Sequence, residues 1–119
     1  MEKEPMGGGP RVRVVFVTVD GEDAGRILAR RLVQERLVAC GNVIPGLTSV
    51  YRWDGEIREE TEALVILKTT EDQVEALRKR VVELHSYEVP EFLSLPVMEG
   101  HDPYLRWVAG EVENPGQTE

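Results

Sequence analysis

Apolar and polar positions change rhythm several times along the chain, and each change predicts an element. RVRVVFVTVD, residues 11 to 20, is dense in β-branched side chains and has no helical period, which predicts a strand. Val14 and Phe16 fall on one face and Val15, Val17 and Val19 on the other, so the strand is expected to be covered on both sides. DGEDAGRILARRLVQERL then takes a helical period, with Asp20 placed to cap, acids in the first turn, and Ala24, Ile27, Leu28 and Leu32 on one stripe. From Val38 to Tyr51 that period is lost, broken at Pro45-Gly46 and recovered as LTSVYRW, which suits a strand with a bend or bulge. Trp53-Asp54-Gly55-Glu56 carries the Asp-Gly pair of tight hairpins. The next strand is predicted from Ile57 to Thr69, its polar half IREETE reaching beyond the sheet and its apolar half ALVILKT buried.

Thr70 and Gln73 have the spacing of a capping box, and Val74, Leu77, Val81 and Leu84 form a helical stripe that ends near His85. Pro90 forces Val89 out of the α region, after which EFLSLPVMEG reads as a last strand whose Pro96 suits an edge or a bulge. HDPYLRWVAGEV, residues 101 to 112, is a short closing helix with Pro103 in its first turn. The order β-α-β-β-α-β plus a terminal helix is the α+β, ferredoxin-like split βαβ sandwich. Two helices cover one face of its sheet, whereas the strands are apolar on both, so self-association through the open face is predicted.

At 119 residues the chain suits one domain, placed at 11–113 between flexible Gly- and Pro-containing tails at 1–10 and 114–119. The formal charge, 14 − 22 = −8, repels phosphate backbones and anionic lipid, so neither nucleic acid nor membrane is expected as a partner. The single cysteine, Cys40, cannot form an internal disulfide, and MEKEPMGGGP lacks the apolar run of a signal peptide; both point to the cytoplasm.

The soft or borderline metal donors are Cys40, His85 and His101, too few for a closed zinc site in one chain, although symmetric association can pool ligands. A thiolate and imidazole pair would select copper or another transition ion over magnesium or calcium. Alone, Cys40 reads as a small buried apolar residue and His85 as a hydrogen-bonding or dipole-answering residue at a helix end. No nucleophile elbow, P-loop or dinucleotide fingerprint occurs, so no enzyme is predicted. Glu59, Glu60 and Glu62 read as a solvated arm that resists aggregation. Tyr51, Trp53, Lys68, His85, Tyr87, Tyr104 and Trp107 are the remaining candidates: they can line one cleft for a small anion, or the tryptophans can anchor an interface.

The segments ERLVACGNVIPGLTSVYRWDGEI, ALVILKTT, LHSYEVPEFLSLPV and YLRW, in this order and spacing, closely resemble the CutA divalent-cation tolerance family over residues 12 to 112. The resemblance implies a ferredoxin-like protomer in a tight homotrimer, with the hairpin around Trp53-Asp54-Gly55 reaching a neighbouring subunit. It implies a role in tolerance to divalent cations, copper especially, without enzymatic activity, on an architecture similar to the PII signalling trimers. By the same resemblance, Tyr51, Trp53, Lys68, His85, Tyr87 and Trp107 would line a cleft between subunits, and Cys40 and His85 would be the metal ligands. A PII-like trimer taking a small anionic ligand in that cleft, or a mainly structural trimer, stands as the alternative.

Overall fold

The computed structural model describes residues 10–112; the expected tails lie outside that range except for Pro10. The elements are β1 (Val12–Val19), α1 (Glu22–Gln34), β2 (Cys40–Trp53), β3 (Glu56–Thr70), α2 (Val74–Leu84), β4 (Leu93–Pro96) and α3 (Asp102–Glu111). The four strands form one sheet in the order β2-β3-β1-β4, every neighbouring pair antiparallel. This is the α+β sandwich the sequence predicts, with the proline-ended β4 on an edge, where a missing N–H costs least.

Along β1, Val15, Val17 and Val19 are buried against α1 and α2 together with Ala63, Val65 and Leu67 of β3. Leu28, Ala29 and Leu32 from α1, and Leu77 and Val81 from α2, close this core. The α1 stripe is rotated from its expected position: Ala24 and Ile27 are exposed, and Gly25 faces the sheet instead. A Cβ on Gly25 would lie 2.9 Å from Val43 Cγ1 and 3.2 Å from Val65 Cγ2, so the absent side chain sets how closely the helix lies on the sheet.

Neither expected cap forms by side chain. Gly21, not Asp20, occupies the N-cap position of α1. Before α2 a 3-10 turn, Glu71–Gln73, intervenes; the Thr70 hydroxyl donates to Asp72 Oδ1 at 2.6 Å, and Gln73 is buried rather than turned back to the strand end. A nearby carboxylate and burial outcompete the capping box.

The opposite sheet face is less open than the two-helix count predicts. At one end α3 seals it, with Val108 and Val112 packed on Val12 and Ala39 and with Cys40 and Leu105 beside them. Towards the other end Val14, Phe16, Leu64 and Ile66 stay half-buried and Leu93 and Leu95 exposed.

Candidate functional site

The β2–β3 hairpin runs past the rest of the sheet, because β1 pairs with β3 only from Ala63 to Thr70 while β2 stays paired down to Trp53 and Glu56. Its turn takes positive φ at Asp54 (55°) and Gly55 (80°), the mirror-image geometry that an Asp-Gly pair favours. Between Ile44 and Leu47 the register shifts: Ile44 opposes Leu64 and Leu47 opposes Glu62, so Pro45 and Gly46 together face Ala63. Since successive strand residues point to opposite faces, this bulge reverses the alternation. Before it Cys40, Asn42 and Ile44 share the face opposite α1 and α2; after it that face carries Leu47, Ser49, Tyr51 and Trp53, opposed by Glu62, Glu60, Arg58 and Glu56.

The segment after α2 folds over this surface. His85 caps the helix end, its N–H donating to Val81 O at 2.9 Å. Its Nδ1 accepts from the Tyr87 N–H at 3.0 Å, which leaves Nε2 as the protonated nitrogen and donor to Thr18 O at 2.7 Å. The Tyr87 ring lies 4.5 Å from the imidazole, and its hydroxyl donates to Glu62 Oε2 at 2.6 Å. Burial, followed by this bond to a carboxylate, pushes the Tyr87 phenol well above its ordinary value, so it stays a donor. The same charge and partial burial raise the Glu91 carboxyl, burial being the larger cause. A hydrogen bond with Glu60 raises the Tyr51 phenol.

Together these groups enclose a cleft of about 580 Å³ lined by Tyr51, Trp53 and Tyr87, four carboxylates (Glu60, Glu62, Glu88, Glu91) and one guanidinium, Arg58. The expected set of site residues therefore separates within one protomer. Tyr51, Trp53, His85 and Tyr87 gather at the arm. Lys68 stands at the far end of the same face, hydrogen-bonded to Asn42 and 3.8 Å from the Cys40 sulfur. Trp107 is also remote, on α3 beside Tyr104 with ring centroids 5.6 Å apart. The lysine needed to hold an anion is not among the cleft's lining residues, and the carboxylates there repel one.

The two expected metal ligands do not meet in one protomer either. Cys40 pairs with Lys68, which is opposite Val14, whereas His85 is fixed to Thr18, four residues further along β1 and about 13 Å away at the usual strand rise. Both imidazole nitrogens are occupied by backbone groups, and among the described residues no three His, Cys, Asp or Glu side chains are placed to hold an ion. The residue that sequence reasoning undervalued is Glu62, placed with a solvated arm but only 6% exposed. Its signal was its strand parity, shared with Leu64 and Ile66.

A family profile described as CutA1 divalent ion tolerance protein matches residues 13–111. The chain belongs to this family. A divalent-cation tolerance protein CutA from Thermus thermophilus is 48% identical over 103 residues, 87% of this chain and 97% of the relative. Chloroplastic Protein CutA from Arabidopsis thaliana is 44% identical over 101 residues, 85% of this chain but 56% of its own length. Among solved structures, CutA1 from Oryza sativa superposes with a TM-score of 0.86 at 39% identity, covering 88% of this chain and 96% of that one. The Thermus thermophilus divalent cation tolerance protein gives 0.83 at 46% identity, over 86% and 99%. CutA proteins thus carry names from more than one compartment, chloroplastic among them and periplasmic in Archaeoglobus fulgidus. In this chain no helix among the described residues is long and apolar enough to cross a membrane.

Proposed function

We propose that this chain is a cytoplasmic, non-enzymatic divalent-cation tolerance protein that works as a homotrimer. The observation that carries the reading is the apolar surface a lone protomer leaves in water: Ile44, Val50, Trp53 and Ile57 on β2 and β3, and Leu93 and Leu95 on the β4 edge, all at least two-fifths exposed. Trp53 on one face of the arm, Val50 and Ile57 on the other, and the two outer strands β2 and β4 thus all leave apolar side chains in water, a distribution on a small acidic protein that is suited to burial against further copies. The arm is the natural reach of one copy onto the next, because its outer half has one strand neighbour and no helix over it.

Copper or another transition ion is the cation class that Cys40 selects, since its thiolate is a soft donor on this face. The pair Cys40 and His85 does not fit an ion within a protomer, so the proposed uptake joins Cys40 to donors from neighbouring copies. His85 can take part only by giving up its bond to Thr18 or to Tyr87.

Native mass spectrometry of the full chain with and without copper tests both parts. Three chains of 13.4 kDa give a species near 40 kDa, and copper should add to it in a manner that Cys40→Ala abolishes and His85→Ala lowers less. A monomer near 13.4 kDa would overturn the assembly, and uptake unchanged in Cys40→Ala would overturn the metal assignment.

A further inference from the structure

Glu62 has a hydrogen bond and, among the described residues, no ion pair. It is 6% exposed, faces the arm cleft, and among the described residues the Tyr87 hydroxyl is the one donor that reaches it, at Oε2. Tyr87 supplies no positive charge, and no Lys, Arg or His side chain among the described residues makes an ion pair with this carboxylate. A carboxylate taken out of water without a cation is costly, far more so than an exposed one. Around it Glu60, Glu88 and Glu91 outnumber Arg58, the one guanidinium lining the cleft, so the potential there stays negative.

The shape of the site decides which cation answers that charge. The acids are spread around a cavity of about 580 Å³ instead of converging, and among the described residues no cluster is placed for a metal ion. Between them stand the rings of Tyr51 and Trp53, apolar surfaces whose faces attract cations of low charge density. Volume, aromatic walls and a recessed carboxylate are the features of a pocket for an organic cation.

We propose that the arm cleft binds a guanidinium or alkylammonium group, seated on Tyr51 and Trp53 with its N–H donors on Glu62. The group comes either from a free small molecule or from an arginine of a second copy, whose arm carries Arg52 and Arg58. The first source is independent of the metal reading; the second rests on the proposed assembly.

The test uses the full chain with Trp107→Phe, which leaves Trp53 as the one tryptophan. Methylguanidinium chloride is titrated against sodium chloride of equal ionic strength while Trp53 emission is followed, and native mass spectrometry reads the assembly at each point. With a free ligand as the source, methylguanidinium gives a saturable change that sodium chloride does not. Glu62→Gln then weakens it about ten-fold or more, the scale of removing one partner of a buried charge pair, and Tyr87→Phe, which keeps the carboxylate, retains it. With a second copy as the source, methylguanidinium gives no saturable change, and Glu62→Gln lowers the assembled fraction whereas Tyr87→Phe does not. The proposal is overturned if methylguanidinium binds equally to Glu62→Gln, or if it does not bind and Glu62→Gln leaves the assembly intact; the latter result leaves the homotrimer itself standing. Should Glu62→Gln fail to fold, Glu62→Asp retains the charge but draws it back from the rings, and changes of the same sign are expected.

Discussion

From Ala63 to Thr70, β3 runs between β1 and β2 beneath two helices, and Ala63, Val65 and Leu67 are fully buried. From Glu56 to Thr61 the same strand has only β2 beside it, and every side chain is exposed. Backbone pairing with β2 runs through both halves apart from the bulge, so it is not what separates them. The difference is apolar area removed from water, about 25 cal/mol per Å², which the inner half gains from α1 and α2 and the outer half lacks until another surface covers it. Glu62 sits at the border, and the bulge opposite its neighbour Ala63 turns the arm's aromatic side chains to the face away from the helices.

Substitutions on either side of that border test the contrast, the largest effect coming from the core. Leu67→Ala should cost about 2–5 kcal/mol in urea unfolding, whereas Ile57→Ala on the arm should stay within about 0.5 kcal/mol in a dilute protomer. A larger loss at Ile57 that appears together with dissociation would show the arm packed on a neighbour. Next is the clasp at the border itself. His85→Ala strands the Thr18 carbonyl and the Tyr87 N–H, a loss of about 1–3 kcal/mol that should also speed hydrogen exchange at the Tyr87 amide.

Gly55→Ala puts a Cβ on a residue with φ +80° and should cost about 1 kcal/mol, confined to the arm and visible as faster exchange there while the core stays protected. The smallest effect lies on the helical layer, where Arg80 donates twice to Glu35 at 2.8 Å and holds its carboxyl below the ordinary 4.5. A depressed folded value means that the unfolded chain binds the proton first. The resulting stability is complete above about pH 4.5 and is lost as pH falls through the lower folded value. Glu35→Gln should therefore flatten this part of the acid-unfolding curve and leave the arm unchanged.

Much of the fold was legible in residue types. β-branched runs, the Asp54-Gly55 turn and the Pro45-Gly46 break all act over a few residues, and each element appears where its local chemistry places it. The errors concern competition. Thr70 had two possible partners and took Asp72, and the face of α1 was chosen by Gly25 rather than by Ile27. Of the residues expected in a cleft between subunits, Tyr51, Trp53, His85 and Tyr87 stand together within one protomer, whereas Lys68 and Trp107 stand apart from them there.

Sequence alone determined the element order, the single thiol at Cys40 and the likeness to CutA proteins, because each rests on covalent identity or on spacing within one element. Only the tertiary structure decided that both nitrogens of His85 are engaged, that Cys40 and His85 lie at opposite ends of a face, and that Glu62 is buried. Those facts depend on register and on which surfaces lie against one another. A bulge that adds one residue to one strand reverses every side chain beyond it, and its consequence for Tyr51 and Trp53 appears only when the opposing strand is in place.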